Sequence, residues 1–366
     1  MKAGLYIHIP FCESKCYYCD FCSGNFSEEI RGKYVRELIS EIKATGKNSE
    51  KVLKTIYIGG GTPSVLTARQ LSNVIEAVYS SFKCDVEEFT IETNPNLFAD
   101  FAEYKKMGVN RLSVGVQTLD DRLLKKIGRR HDSAQAVFCL ENAGKYFDNV
   151  SADIMLGLDE KQDVKKDLQT IIPLVKHLST YMLKVENGTK LKKMIADETV
   201  SVATENATIS QYKTAQEKCN EAGFNRYEIS NFALSGYESR HNSSYWNMTD
   251  YYGVGVSAHS YVDGERYYNG NGVIDYIKGK HSGNGYKIIE RKFSVEDEKE
   301  EYIMLSLRTV RGLDLIDYKK RFNEDFSVAY ATKLLKLNDY LSFSGDRISI
   351  KEEYFLVQNS VISELI

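Results

Sequence analysis

Short apolar runs alternate with amphipathic segments along the first ~290 residues of the chain. The apolar runs predict six strands, at residues 5–9, 55–58, 89–92, 111–116, 150–155 and 178–185. Apolar residues that recur with helical periodicity predict seven helices, at residues 28–44, 67–82, 98–107, 120–127, 133–146, 161–175 and 205–222. The pattern therefore predicts an α/β protein in which strands and helices alternate.

Strands that alternate with helices form parallel βαβ units. Six such units favour a partial (β/α)6 barrel, similar to part of a TIM barrel, over an open sheet covered on both sides. Unusual residues stand where the predicted strands end: three glycines at 59–61, Glu92 after the third strand and Gln117 after the fourth. Because α/β barrels carry their chemistry at the C-terminal ends of strands, we expect these residues to share one site.

The chain changes character after about residue 225. Residues 227–268 are rich in Tyr, Asn, Ser and Gly. Beyond residue 290 the pattern is helical again and closes with two short strands joined by Gly345 and Asp346, which is typical of a winged-helix-like module. We predict three parts: an α/β core over 1–225, a Tyr- and Gly-rich extension over 226–289 that faces a ligand, and a mostly helical C-terminal module over 290–366.

Composition and charge narrow the class of protein. The 366 residues are 42% hydrophobic and 27% charged with a net charge of −3, which is ordinary for a soluble globular chain. The predicted C-terminal module holds 12 basic and 15 acidic residues, so nothing favours nucleic acid as a partner. No apolar run approaches the roughly 20 residues that a membrane span needs. With no secretion signal, we expect a cytoplasmic protein, for which peripheral contact with a membrane stays open.

Three cysteines after the first strand carry the most specific signal. They are spaced as Cys12-x3-Cys16-x2-Cys19, in a chain whose seven cysteines suggest a reducing compartment with metal-binding or catalytic thiols. Three thiolates on one short loop can hold three irons of a [4Fe-4S] cluster and leave the fourth iron open. The alternative is a zinc site with Cys22 as the fourth ligand.

With Tyr18 before the last cysteine, the cysteine motif resembles the radical S-adenosylmethionine superfamily. Further motifs resemble the oxygen-independent coproporphyrinogen III oxidase family, and within it the HemW-type heme chaperones. These motifs are LYIHIPFC at 5–12, GGGTPS at 59–64, ETNP at 92–95, NRLSVGVQ at 110–117, GRRH at 128–131, HNSSYW at 241–246 and GVGVSAHS at 253–260.

The resemblance implies which residues bind S-adenosylmethionine. It assigns the cluster to Cys12, Cys16 and Cys19. It assigns contacts with S-adenosylmethionine to Tyr6, Tyr18, Gly60, Gly61, Thr62, Glu92, Gln117, Arg129 and Asp153. Structural alternatives remain open from the residues alone. The glycines could form only a tight turn, Glu92 could pair with Arg111 or Arg129, Arg129 could lie on a helix surface, and Asp153 could be a structural acceptor.

Heme is the third ligand that the resemblance implies. His241 is a candidate axial ligand because imidazole commonly binds heme iron, and Tyr245 and Trp246 beside it could face a porphyrin. A structural role in a hydrogen-bonded loop is the alternative for His241. His259 and His8 are rival ligands.

Departures from the family pattern favour one branch of it. The oxidases carry an N-terminal extension and a further cysteine where this chain has Phe21, and the loops at 159–162 and 190–191 are atypical here. We therefore expect a chaperone that delivers heme to an acceptor protein and receives electrons from a flavodoxin or ferredoxin. The alternatives are oxidative decarboxylation of coproporphyrinogen III by a 5′-deoxyadenosyl radical, and a radical enzyme that acts on heme. Whether the chain is an enzyme is left open.

Overall fold

The computed structural model describes residues 1–95, 99–279 and 287–366. Its first half alternates strands with helices. The strands are β1 (Lys2–Ile9), β2 (Val52–Gly60), β3 (Lys83–Thr93), β4 (Arg111–Gln117), β5 (Asn149–Leu156) and β6 (His177–Met182). The helices are α1 (Glu28–Lys47), α2 (Ala68–Ser81), α3 (Phe101–Lys106), α4 (Asp121–Lys126), α5 (Ser133–Ala143), α6 (Val164–Ile171), α7 (Lys190–Ala196) and α8 (Glu205–Glu221).

Strands β1 to β6 pair in chain order, each parallel to the next. Every residue of β4 is buried, as expected for a parallel strand covered on both faces. In the described part of the chain β6 does not pair with β1. The α/β fold and its run of parallel strands confirm the predicted class, with the strands in a partial rather than a closed arrangement.

The ends of several elements differ from the prediction. The sixth strand ends at Met182 and not at residue 185. The helix predicted at 161–175 begins after Asp163, whose side chain caps it, and gives way to a 3-10 turn at Pro173 because proline has no N–H to continue the ladder. The start predicted for the helix at residue 98 lies outside the described residues.

The extension adds strands at both edges of the same sheet. Its elements are β7 (Asn225–Arg226), β8 (Asn231–Ala233), α9 (Arg240–Trp246), β9 (Tyr251–Val254), β10 (His259–Val262), β11 (Glu265–Asn269), α10 (Val273–Ile277) and β12 (Lys287–Lys292). The resulting order is β12-β11-β10-β9-β1-β2-β3-β4-β5-β6-β8-β7. Strand β9 runs parallel to β1, so the extension continues the central sheet outward from the strand that precedes the cysteines.

The C-terminal residues build a second apolar core. Its elements are α11 (Val295–Leu307), β13 (Leu313–Asp314), α12 (Leu315–Phe322), α13 (Phe326–Ala329), α14 (Ala331–Leu337), β14 (Leu341–Ser344), β15 (Arg347–Ile350) and α15 (Gln358–Leu365). The three strands form their own small sheet, and the predicted hairpin around Gly345 is present. The exact domain bounds stay a prediction, and part of the expected extension, 280–286, lies outside the described residues.

Over the described ranges, no helix combines the length and the apolar character needed to cross a membrane.

Candidate functional site

The cysteine loop follows β1 and is closed by backbone hydrogen bonds. The Cys12 N–H donates to the Gly24 carbonyl at 2.9 Å, and the Gly24 N–H donates to the Pro10 carbonyl at 3.0 Å. Phe11 is fully buried between them. The loop is thus fixed at both ends, and its three motif cysteines are half-buried beside a cavity.

A cavity of about 480 Å³ opens at the C-terminal ends of β1 to β6. Eleven of the twelve residues that the sequence assigns to the cluster and to S-adenosylmethionine line it. They are Cys12, Cys16, Cys19, Tyr18, Gly60, Gly61, Thr62, Glu92, Gln117, Arg129 and Asp153. The expectation that strand-end residues converge is therefore met by the geometry, while their binding roles stay predictions.

The donor set fits an iron–sulfur cubane better than a single metal ion. Among the described residues, no group of three His, Cys, Asp or Glu side chains converges on one ion position. A cubane binds each cysteine through a different iron, so its thiolates surround a volume instead of meeting at a point. Cys22 lies outside the cavity and donates its S–H to the Asn271 carbonyl at 3.2 Å. The zinc alternative through Cys22 therefore finds no support.

Three glycines bring the end of β2 against the cysteine loop. The Gly61 N–H donates to the Ile9 carbonyl at 2.8 Å, and the Thr62 N–H donates to the Phe11 carbonyl at 2.7 Å. Gly60 has φ +108°, and a Cβ there would stand 2.5 Å from the His8 ring. Only glycine tolerates both that backbone region and that contact. The glycines therefore form a tight turn, which was the structural alternative for them. The turn also forms a wall of the cavity.

Glu92 and Asp153 place two half-buried carboxyl groups on this wall. Glu92 accepts hydrogen bonds from the Tyr57 hydroxyl at 2.7 Å and from the Gly60 N–H at 3.1 Å. Burial raises the pKa of Glu92 to about 7 and also raises the pKa of Asp153, which accepts from the Ser113 hydroxyl at 3.1 Å. Because the donors to Glu92 are neutral, an arginine ion pair does not hold it in place. A cationic ligand would favour ionisation of both groups.

A hydrogen-bonded chain links two of the cysteines. Arg129 approaches the Cys16 sulfur at 3.6 Å and donates to the Asn94 side-chain oxygen at 2.7 Å. The Asn94 amide donates to the Thr62 hydroxyl at 2.7 Å, which in turn donates to the Cys12 sulfur at 3.6 Å. Arg129 is thus inside the site, and the alternative of a helix-surface residue is wrong. Asn94 appeared in the sequence only as part of a motif, and its linking role depends on the fold.

Gln117 has a backbone conformation that is uncommon for residues other than glycine. Its φ is +73°, in the region that usually favours glycine. The Tyr181 hydroxyl donates to its side-chain oxygen. Such a conformation at a cavity wall is typical of functional positions. Tyr181 itself was missed because it lies in an apolar strand where an aromatic residue is unremarkable.

The atypical residues 190–191, predicted in a loop, instead begin helix α7 after the N-cap Thr189 and meet the cysteine loop. The Leu191 N–H donates to the Tyr17 carbonyl at 2.7 Å, and the Lys190 ammonium lies 3.7 Å from the centre of the Tyr17 ring. In the loop at 159–162, the Gln162 amide donates to the Met155 carbonyl at 2.7 Å. The start of α7 therefore stabilises the cysteine motif, and the loop at 159–162 stabilises the end of β5.

Tyr6 stands apart from the other predicted contacts. Its hydroxyl is hydrogen-bonded to His8 Nδ1 at 3.0 Å, and its ring lies 6.1 Å from that of Tyr57. It is not among the residues that line the cavity. Contact of Tyr6 with S-adenosylmethionine remains a prediction from the resemblance.

His241 is buried and does not line the cavity. Its Nδ1 is hydrogen-bonded to the Thr55 hydroxyl at 2.8 Å and its Nε2 to the Tyr245 hydroxyl at 2.7 Å. The ring stacks on Tyr57 at 5.1 Å, and burial lowers its pKa to about 3. Both ring nitrogens of His241 therefore have hydrogen-bond partners within the protein. This agrees with the alternative of a structural role for His241.

Comparison with known proteins agrees with the geometry. A family model described as the Radical SAM superfamily matches residues 6–171, and one described as the HemN C-terminal domain matches residues 293–356. The chain is 34% identical to the heme chaperone HemW of Lactococcus lactis, over 99% of this chain and 96% of that protein. It is 36% identical to the heme chaperone HemW of Bacillus subtilis, over 89% of this chain and 87% of that protein.

Among solved structures, coproporphyrinogen III oxidase (HemN) from Escherichia coli, described as a radical SAM enzyme, superposes with a TM-score of 0.85. The match covers 99% of this chain and 89% of that one at 18% identity. At that identity the likeness concerns the fold alone. It extends over the core, the extension and the C-terminal module.

Proposed function

Because this chain belongs to the HemW heme chaperone family within the radical SAM superfamily, we propose that it binds heme and delivers it to an acceptor protein. The radical SAM domain implies a [4Fe-4S] cluster and S-adenosylmethionine. The observation that carries the proposal is the cavity in which three thiols, the turn residues Gly60 and Gly61 and two half-buried carboxyl groups meet. Heme is the cargo, as the similarity to heme chaperones supports.

Cys12, Cys16 and Cys19 would hold the cluster, and Thr62 and Arg129 already approach the sulfurs of two of them. Such a cluster would supply one electron to a bound sulfonium. The chain's own residues hold and orient the ligands. The 59–61 turn offers its backbone groups to the amino acid end of S-adenosylmethionine.

The two half-buried carboxyl groups suit the cationic and hydroxyl-bearing parts of S-adenosylmethionine. Glu92 stands beside the glycine turn and Asp153 stands two strands further along the sheet. Binding of a cation against Glu92 would lower its pKa again, since opposite charge stabilises the carboxylate. Gln117 and Tyr18 complete the polar wall.

The same proposal includes a cytoplasmic location, an acceptor protein for the heme and an electron donor such as a flavodoxin or ferredoxin. These partners rest on the family alone. Oxidative decarboxylation of coproporphyrinogen III is the competing activity, and an assay of the product separates it from transfer of heme.

Anaerobic purification followed by iron, sulfide and heme quantitation tests the proposal. We expect about four irons on three cysteines, as a site-differentiated cubane, and one bound heme after loading with hemin. S-adenosylmethionine should change the electron paramagnetic resonance signal of the reduced cluster. An unchanged signal would remove the S-adenosylmethionine site, and formation of protoporphyrinogen would replace the chaperone by the oxidase.

A further inference from the structure

The wall residue Gln117 has a backbone conformation that is unfavourable for a residue with a Cβ. Its φ of +73° lies in the left-handed region, which residues other than glycine rarely adopt. Such a conformation persists only where the surrounding structure fixes it from several sides. The contacts of the chain on either side of Gln117 therefore indicate what maintains it.

This conformation places the Gln117 side chain in the cavity. The side-chain amide nitrogen lies 3.0 Å from the position that a Cβ on Gly115 would take, and an Arg129 guanidinium nitrogen lies 3.0 Å from the same point. The amide thus lies over the backbone of Gly115, beside Arg129. Because the backbone sets the direction of a side chain, a return of Gln117 to extended backbone would remove the amide from this position.

Asp167 on α6 holds the two residues that follow Gln117. Its Oδ2 accepts a hydrogen bond from the Thr118 hydroxyl at 2.6 Å, and its Oδ1 accepts one from the Leu119 N–H at 3.1 Å. Both oxygens of the carboxyl group are therefore bonded to one short stretch of chain. Asp167 thus fixes the path of the chain directly after the strained residue.

Asp167 has an uncommon place in its helix. The other buried residues of α6 are all apolar: Val164, Leu168 and Ile171. Burying a carboxyl group costs free energy, and burial raises the pKa of Asp167 to about 6. Asp167 does not cap α6, because the side chain of Asp163 does so. The hydrogen bonds of Asp167 therefore stabilise the segment after β4 and not its own helix.

The peptide group before Gln117 is held as well. His131 Nε2 is hydrogen-bonded to the Val116 carbonyl at 3.1 Å, and the ring is buried. Burial lowers the pKa of His131 to about 4, so the neutral ring is the form that donates to this carbonyl. Gln117 is therefore fixed on both sides, by His131 before it and by Asp167 after it.

We propose that Asp167 is a positioning residue for the S-adenosylmethionine site. It holds Gln117 in the left-handed conformation, and Gln117 in turn keeps its side-chain amide beside Arg129 at the cavity wall. Asp167 is not among the described residues that line the cavity, so it acts through Gln117 and not by contact with the ligand. This inference rests on the proposed function, because it concerns the same ligand.

Equilibrium binding of S-adenosylmethionine to the full-length, anaerobically reconstituted protein tests the proposal. Asp167→Ala should weaken binding about tenfold or more, because the wall loses its shape although every residue that lines it is still present. Asp167→Asn should bind nearly as tightly as the wild type. Its side-chain oxygen can still accept from the Leu119 N–H, and its amide can donate to the Thr118 hydroxyl.

Asp163 provides a matched control on the same helix. Its side chain accepts from the Lys166 N–H at 3.0 Å, so Asp163→Ala removes the cap of α6 and should lower the melting temperature. The affinity for S-adenosylmethionine should stay at the wild-type value. A loss of affinity equal to that of Asp167→Ala would assign the effect to the stability of α6 and overturn the proposal.

Glycine at position 117 separates positioning from general destabilisation. Glycine adopts a positive φ without strain, so Asp167→Ala should cost only about twofold in affinity when it is added to Gln117→Gly. A loss as large as in the wild-type background would show that Asp167 does not act through Gln117, and the proposal would be wrong.

Thr118→Val tests the same link if Asp167→Ala does not fold. It removes one hydrogen bond to Asp167, nearly preserves the volume of a buried side chain, and should weaken binding of S-adenosylmethionine several-fold. Wild-type affinity in Asp167→Ala or in Thr118→Val would overturn the proposal. If the wild-type protein itself does not bind S-adenosylmethionine, the proposed site fails, and this inference falls with it.

Discussion

The cysteine end of the core and the His241 segment use similar residues in opposite ways. At the cysteine end, polar side chains from the cysteine loop and from β3 to β6 border an open cavity. In the His241 segment, the polar side chains are hydrogen-bonded to one another. The hydroxyl groups of Thr55 and Tyr245 are bonded to the two nitrogens of the imidazole. Glu88 likewise accepts from the His241 N–H at 3.0 Å.

The difference shows how an unusual polar residue should be interpreted. Burying a polar group costs free energy unless the group makes hydrogen bonds. Such a group therefore either has hydrogen-bond partners within the protein or is available to bind a ligand. Sequence patterns identify such residues in both regions. Residues that border a cavity form a candidate site, whereas residues that border none have a structural role.

The largest expected effect is loss of the cluster. Cys12→Ala, Cys16→Ala and Cys19→Ala should each abolish iron binding, because each removes one of only three protein ligands. Cys22→Ala is the matched control, since its thiol bonds to the Asn271 carbonyl outside the cavity. Iron and sulfide analysis after anaerobic reconstitution measures the effect. Iron loss in Cys22→Ala would show that the ligand assignment is wrong.

Gly60→Ala should abolish S-adenosylmethionine binding. The new methyl group would stand 2.5 Å from the His8 ring and push the turn away from the cysteine loop. Gly236→Ala is the control, because Gly236 also has a positive φ, +88°, but nothing lies within 4 Å of its Cβ position. The control should lose only about 1–2 kcal/mol of stability from backbone strain. Equilibrium binding of S-adenosylmethionine and thermal melts distinguish the two effects.

His241→Ala should destabilise the fold by about 2–4 kcal/mol, because it leaves a buried cavity and two hydroxyl groups without their partner. Denaturant unfolding measures this loss. Tyr245→Phe removes only one of the two hydrogen bonds and should cost less. The cluster should persist in both variants. A fully stable His241→Ala protein would contradict the structural role of the imidazole.

Glu92 should make stability depend on pH. Its pKa in the fold, about 7, lies above its ordinary value of 4.5, so the folded state binds the proton more tightly than the unfolded state. The resulting stabilisation is fully present below about pH 4.5 and is lost as the pH rises through about 7. Glu92→Gln, which is neutral throughout, should show a flatter melting profile between about pH 5 and 8. Parallel profiles for the two proteins would argue against a raised pKa.

The smallest expected effect concerns the reduction potential of the cluster. The Thr62 hydroxyl donates to the Cys12 sulfur, and hydrogen bonds to sulfur stabilise the more negative, reduced state. Thr62→Val should therefore lower the midpoint potential. Ser64→Ala is a nearby control, because the buried Ser64 hydroxyl has no hydrogen-bond partner among the described residues. A redox titration followed by electron paramagnetic resonance measures both, and an equal potential in Thr62→Val would exclude this tuning.

The sequence by itself determined the alternating elements and most of the candidate site. Strand runs such as 111–116 are mostly small or apolar because both faces of the strand are buried. The glycines at 59–61 and the carboxyl group of Glu92 differ from such runs. Parallel strands bring their C-terminal ends to one edge, so positions far apart in the chain could be expected to meet.

Only the tertiary structure decided which polar residues have partners. The hydrogen bonds of His241 reach Thr55, 186 positions away in the chain. Asn94 likewise links Thr62 and Arg129, which are 32 and 35 positions away from it. Hydrogen-bond satisfaction depends on distance and direction between side chains, which periodicity does not encode. For the same reason, only the register of β10, β11 and β12 revealed that His259, Tyr268 and Ile288 lie side by side on one face of the sheet.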